Sequence, residues 1–474
     1  MDVGTLLIIN LVISIAIILF LIMVLKINPS IAMIVACLYM GIASKLGVMG
    51  TITQISDGFG SMMSSMGLPI GFGVILGQLL SDSGGASVIA ETLVRKFPAK
   101  KALYAIAFTG FVLSIPVYFD VTFVILIPIG IAITRQINKP MAYTTGALTI
   151  GATTAHCIVP PTPNPLAAPD IFGFDLGIML IFGLIFGIIT VTVSVFLYTK
   201  IHDRHFWNEE KDVNHSSNVV KELEEQGKVV KENRPSFFIS LLPIIVPIIC
   251  ILCGTVGTAI FGEENQPIIS QFLGNKLTAL LLGALASYLL GYTYIGKKNI
   301  EESAGEALKD AGVVLLITGA GGSFGAVIKA TDIGTILVDK LGLDTSSAIV
   351  VLLLAFFIGF IFRVAQGSGT VAGLTSMTIM ATLAPTVGIH PVYIAMACLA
   401  GGNSVGHVNA SGFWVATNLS GLTVTGGLKT YTLGSFISAI CIFILAIIGA
   451  LVFPVFSSVF KIPVLSNRIK SNKQ

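Results

Sequence analysis

The feature that most constrains this chain is a series of apolar stretches, repeated from one end to the other, each close to the length that crosses a lipid bilayer. They occupy residues 5–25, 29–44, 176–199, 237–261, 277–296 and 431–457. A helix needs roughly 20 residues to span the hydrocarbon core. A single stretch of this kind suits the core of a soluble domain, but about ten of them do not. The charge content agrees: 11% of the 474 residues are charged, whereas a soluble domain carries roughly 25%. The expected fold is therefore an all-α polytopic membrane protein. Residues 1–4 hold no Lys or Arg, and the first run is too long for the core of a signal peptide, so it reads as the first span. The net charge of +3 belongs to loop topology and points to no nucleic acid.

Residues 200–236 form the one long polar segment, including KELEEQGKVVKEN, and read as a solvated connector. It separates a first repeat, 1–199, from a second, 237–460, with a polar tail at 461–474. Each half opens with two long spans and a Gly-rich span. An apolar pair broken by a polar knot follows, then a second broken segment and a final long span. Gly58 pairs with Gly305 in this scheme, Gly77 with Gly325 and His156 with His407, about 250 residues apart. The stretches 101–114 and 121–134 flank SIPVYFDV. Arms of that length reach only roughly 21 Å, short of a core roughly 30 Å thick, so they read as a re-entrant hairpin. Residues 346–361 and 371–384, flanking FRVAQGSGT, read the same way. Segments 141–170 and 391–420 read as helices broken at mid-membrane, where irregular backbone survives only if it is buried in protein or lines a cavity. With the hairpins not counted as spans, each half has five spans and the second is inverted. Placing the connector in the cytoplasm then puts most of the 27 lysines and arginines inside, with the basic tail on the other side.

Ionisable groups inside such segments are costly to hold there and so mark function. Asp120 is the only charge between Lys101 and Arg135. It sits at the first hairpin tip, flanked by Ser114 and Thr122, where a carboxylate can be protonated and released during a cycle. The alternative is an acid capping the helix that starts at Val121. Arg363 is the only charge between Asp344 and His390. It can clamp a carboxylate through two parallel hydrogen bonds, pair with Asp120, or snorkel to an interface. Gln366, Gly367, Ser368, Gly369 and Thr370 form a polar turn that opens a helix, and its backbone N–H groups favour an anion. His156 and His407 precede the two breaks, either as donors and proton carriers or as satisfied core imidazoles. The run PPTPNP at 160–165 forbids regular helix and leaves Thr162 and Asn164 to face a cavity. Asn403, Ser404, Asn409 and Ser411 do the same in the second half. Asp82 reads as a helix-end residue. Cys250 and Cys253 have zinc-like spacing but no second pair, and they read as helix packing.

Several long segments resemble the gluconate permease family of proton symporters, whose members carry gluconate, related sugar acids and D-serine. They are GVILGQLLSDSGGASVIAETLV (73–94), YFDVTFVILIPI (118–129), HCIVPPTPNP (156–165), RVAQGSGTVAG (363–373), HVNASGFW (407–414) and LKTYTLG (428–434). The resemblance implies proton-coupled uptake of a small hydroxy-carboxylate such as gluconate, a related sugar acid or glycerate. It also implies an elevator-like or rocking cycle, a homodimer, a bacterial cytoplasmic membrane, and no cofactor beyond the coupling ion. The family's proline run reads like PPHPGP, and here Thr162 and Asn164 take the His and Gly places. Its HVND pattern reads HVNA, with Ala410 in place of the acid. Asp120, at the family's acidic place, is then the leading proton carrier. D-serine or another small organic acid is the alternative cargo, and Na⁺ is the alternative coupling ion, held by carbonyls and hydroxyls at the hairpin tips. A channel would show a continuous polar stripe along several spans. A membrane enzyme would need a catalytic cluster, whereas the glutamates lie in the connector and loops. ATP drive would need a Walker A sequence.

Overall fold

A computed structural model describes residues 3–98, 101–226, 233–262, 264–297, 299–331, 348–381, 384, 387–408 and 410–455. Their secondary structure is helical, apart from an isolated bridge between Val213 and Leu422. The first half runs α1 (Val3–Met23), α2 (Pro29–Ala43), α3 (Val48–Asp82), α4 (Gly85–Lys96), α5 (Ala102–Leu113), α6 (Phe119–Ile137), α7 (Met141–Ile158), α8 (Pro163–Phe172) and α9 (Leu176–Ile201). A π-helical turn, His202–Phe206, then leads to the short connector helices α10 (Glu209–Asp212) and α11 (Val219–Gln226). The second half runs α12 (Phe237–Phe261), α13 (Ile268–Gly274), α14 (Lys276–Tyr294), α15 (Ile300–Ala330), α16 (Ala348–Gln366), α17 (Gly369–Met380), α18 (Pro391–Asn403), α19 (Ser411–Leu419) and α20 (Val424–Gly427). A second π-helical turn, Leu428–Thr432, opens the last helix, α21 (Leu433–Val452). Among the described residues nine helices are long and apolar enough to cross a membrane, and α2, α5 and α17 are shorter apolar helices. The expected tail 461–474 lies outside the described residues.

Glycine sets the packing. Between α3 and α15, a Cβ on Gly58 would sit 2.6 Å from the Gly322 carbonyl oxygen, and one on Gly322 would sit 2.6 Å from that of Gly58. Only bare backbones approach so closely, and in lipid this contact replaces the hydrophobic drive that is absent between helices. The first arm of each broken apolar pair packs in the same way on the helix that follows the pair. Gly151 of α7 lies against the Ala107 carbonyl of α5, and Gly401 of α18 against the Phe356 carbonyl of α16.

The structure corrects two sequence expectations. First, the hairpin arms are unequal: α5 and α17 have 12 residues each, but α6 and α16 have 19. Nineteen residues reach roughly 28 Å, close to a full crossing. The shorter reading stopped the arms where charge begins, at Arg135 and near Arg363. Charge ends an apolar run but not a helix, and a cation in the last turn favours the helix dipole. What ends α16 is Gly367, whose φ of +75° suits a residue without a Cβ. Second, the connector is not simply solvated. Asn214 N–H donates to the Gly421 carbonyl (2.9 Å) and Thr423 N–H to that of Asp212 (3.0 Å). The Asp212 side chain is 1% exposed and forms an ion pair with Lys429 at 2.7 Å. Buried His202 packs among the rings of Tyr143, Tyr198, Phe206 and Trp207.

Candidate functional site

A cavity of about 620 Å³ lies where the broken segments meet. Three helix N-termini open onto it: α6 with Phe119, Asp120 and Val121, α17 with Gly369 and Thr370, and α19 with Ser411 and Gly412. The ends of α7 (Thr153, His156, Cys157) and α18 (Gly402, Asn403) form the opposing walls. Asn164 of α8, Arg363 of α16, Ser368 before α17, Tyr431 of the second π turn, and Val313 and Val314 of α15 also line it.

Each polar group is set by local chemistry. Pro160 cannot donate to the His156 carbonyl four residues earlier, so the end of α7 lacks a backbone partner there. The Thr162 hydroxyl lies 2.9 Å from the carbonyls of both His156 and Val159 and supplies the missing donor. Asn164 Nδ2 donates to the Gly369 carbonyl at 3.1 Å, leaving its Oδ1 buried and without a partner. Ser368 caps α17, its Oγ accepting from Val371 N–H at 3.3 Å.

Arg363 is not at a hairpin tip, as expected, but in the last turn of α16, and it is 5% exposed. Its Nη1 donates back to the Gly367 carbonyl and its Nη2 donates to Tyr431 Oη at 3.2 Å, while Nε is buried without a partner. No ion pair within 4.0 Å joins it to Asp120. Asp120 lies inside the first turn of α6, beyond the N-cap Tyr118, and its Oδ2 accepts from Ser411 Oγ at 3.4 Å. His156 Nδ1 has no partner, and its ring lies 5.6 Å from that of Tyr118.

Asp120, His156, Asn164, Arg363, Ser368, Thr370, Asn403 and Ser411 thus come together, from both halves. Thr162 lies off this cavity beside Pro161 and Pro163. Ser114 and Thr122 are fully buried with unpartnered hydroxyls and do not line it. Ser404 is likewise buried, its hydroxyl donating to the Gly401 carbonyl. His407 is half-buried in the α18–α19 break and does not line the cavity, whereas His156 does. Asn409 lies outside the described residues, and of Gln366 only the backbone is described. Asp82 ends α3 and accepts from Gln78 and Ser303, as a helix-end residue should. Sequence reasoning passed over Thr153 and Tyr431. The available signal for Tyr431 was a phenol close to a lysine at the mouth of the last apolar span.

A helical bundle with span-length helices around a polar cavity built from broken segments is the architecture of a membrane transport protein. The chain belongs to the GntP family permeases, whose family model matches residues 6–452. It is 33% identical to an uncharacterized permease of Haemophilus influenzae, over 88% of this chain and 86% of that protein. It is 29% identical to a gluconate permease of Pseudomonas aeruginosa, over 86% of this chain and 89% of that protein. Among solved structures, Neisseria gonorrhoeae MtrF matches with a TM-score of 0.62 over 87% of this chain and 93% of that one. At 15% identity that is a likeness of fold. The protein is thus a multi-pass membrane permease.

Proposed function

We propose that this permease is a secondary active transporter that takes up a small hydroxy-carboxylate, such as gluconate, a related sugar acid or glycerate, in symport with protons. The observation that carries this reading is a buried guanidinium in a cavity onto which three helix N-termini open. A cation at the centre of a spanning helix costs about 2.5–3.5 kcal/mol on insertion scales. Hydrogen bonds to a charged group return about 1.5–3 kcal/mol each, so Arg363 is tolerated there but gains little from it. An arriving carboxylate changes that balance. Each helix N-terminus adds about 0.3–1 kcal/mol toward an anion. A volume of about 620 Å³ falls in the roughly 300–1,000 Å³ range of small-molecule sites.

In this reading Asp120 is the proton carrier. Residues 1–199 and 237–460 are inverted repeats of five spans, the connector at 200–236 is cytoplasmic, and the membrane is the bacterial cytoplasmic membrane. One observation favours a second cargo. An acid and a guanidinium share the cavity without pairing, which suits a zwitterion such as D-serine, carboxylate toward Arg363 and ammonium toward Asp120.

Uptake into proteoliposomes tests these readings. Labelled gluconate, glycerate and D-serine are offered under an imposed pH gradient, with and without Na⁺, to wild type and Asp120→Asn. Accumulation of a hydroxy-acid driven by the pH gradient alone, and abolished in Asp120→Asn, is the expected result. Accumulation that requires Na⁺ and survives Asp120→Asn would sink the proton assignment. Uptake of D-serine alone would replace the cargo.

A further inference from the structure

One of the two groups that hold the cavity's guanidinium comes from outside the broken pairs. Tyr431, which receives Arg363 Nη2, belongs to the π turn Leu428–Thr432 rather than to either broken pair. Such turns are rare and recur at functional sites. Gly406 and Gly412 make room for the pair: a side chain at 406 would strike both Arg363 and Tyr431, and one at 412 would lie 2.9 Å from Tyr431 Oη. The Phe119 ring, next to Asp120, meets Tyr431 edge-on at 5.4 Å. Two residues before Tyr431 stands Lys429, in ion pair with Asp212 of the connector.

The connector is built to lie there. A Cβ on Gly426 would collide with the Asp212 carbonyl. The hydroxyls of Thr423 and Thr425 both donate to the Lys211 carbonyl, at 2.8 and 3.0 Å. Asp212 Oδ2 also accepts from Asn208 N–H at 2.8 Å. A carboxylate this deeply buried is held in place by its ion pair, and neutralising either partner leaves the other charge uncompensated.

Resting on the permease reading above, we infer that the connector latches the π turn through Asp212 and Lys429, so that Asp212, Lys429 and Tyr431 are positioning residues that aim Arg363 at the carboxylate of the cargo. None of the three needs to touch the cargo for this. With the latch open, the turn loosens, Tyr431 Oη leaves Nη2, and the guanidinium samples orientations that do not match a carboxylate.

The test uses full-length protein and gluconate as the probe, reading uptake kinetics and thermal stabilisation by gluconate, with hydrogen exchange of residues 428–432 measured without gluconate. Tyr431→Phe, Asp212→Asn and Lys429→Met should each raise KM about five- to tenfold with kcat within about twofold, while Lys429→Arg stays near wild type. Asp212→Asn combined with Tyr431→Phe should be no worse than Tyr431→Phe alone by more than about twofold, because both act through one contact. Exchange across 428–432 should quicken in Asp212→Asn. Multiplying KM effects, or unchanged exchange in Asp212→Asn, would overturn the latch. If Asp212→Asn does not fold, Thr423→Val with Thr425→Val loosens the same contact more gently, and an unmoved KM and unmoved exchange there overturn it too. A wild type that neither binds nor carries gluconate would sink the cargo reading, and the exchange measurement would still decide the latch.

Discussion

Arg363 and Thr162 show how differently two polar residues in apolar surroundings can serve. Arg363 keeps an Nε without a partner at the cavity wall, so part of its hydrogen-bonding capacity is unspent. Arg363→Lys keeps the charge but loses the planar fork. It should raise KM for a carboxylate cargo about 10- to 100-fold, the ratio equivalent to about 1.5–3 kcal/mol, as measured by uptake. A KM within twofold of wild type would remove Arg363 from the site. Thr162, by contrast, serves the carbonyls of His156 and Val159. Thr162→Val should cost about 1–3 kcal/mol of stability, seen as a lower melting temperature in detergent, with KM little changed. Asp120 and Arg363 were legible from sequence because each is a lone charge in a long apolar context. Tyr431 was not, because an aromatic residue in an apolar span has the same pattern whether it packs or presents its hydroxyl to a cavity.

At the scale of elements, proline and glycine mark where helices are interrupted, while hydropathy misplaces where they end. The PPTPNP run was expected to exclude helix throughout 160–165, but the break covers only Val159–Thr162: Pro163 and Pro165 sit in the first turn of α8, where a missing N–H costs nothing, and Gly367 turns α16 into α17. The lengths of α6 and α16 were missed because hydropathy reports what a residue prefers as solvent, whereas a helix ends where its backbone hydrogen bonds end. A glycine count of 50 suits close helix packing in lipid without naming partners. Gly151, against the Ala107 carbonyl, has no room for a side chain, and its clash is with backbone. Gly151→Leu should therefore separate α5 from α7, at a cost above the about 1–3 kcal/mol typical of overpacking. Yield of monodisperse protein in detergent should fall sharply, while Gly173→Leu, where no atom lies within 4 Å of an added Cβ but φ is +72°, should cost less.

For the whole molecule, the arrangement of two halves about one connector makes a prediction about sidedness. Lys221 lies in the connector helix α11 and is exposed. With Cys253, the exposed native thiol, replaced by serine, Lys221→Cys should react with a membrane-impermeant maleimide in inverted vesicles and not in right-side-out ones. The opposite pattern would overturn a cytoplasmic connector. The sequence alone was enough to establish that this chain lives in a bilayer and that its charged residues there are few, because both follow from composition and run length, which need no contacts. Its order of long, broken and long segments was likewise readable, since proline and glycine act on their own backbone. Only the tertiary structure decided which of the polar residues share a cavity, which merely close a helix end, and that the polar connector docks back onto the turn carrying Tyr431. Those outcomes depend on contacts between residues more than 200 positions apart, such as Asp212 with Lys429, and local pattern carries no information about such contacts.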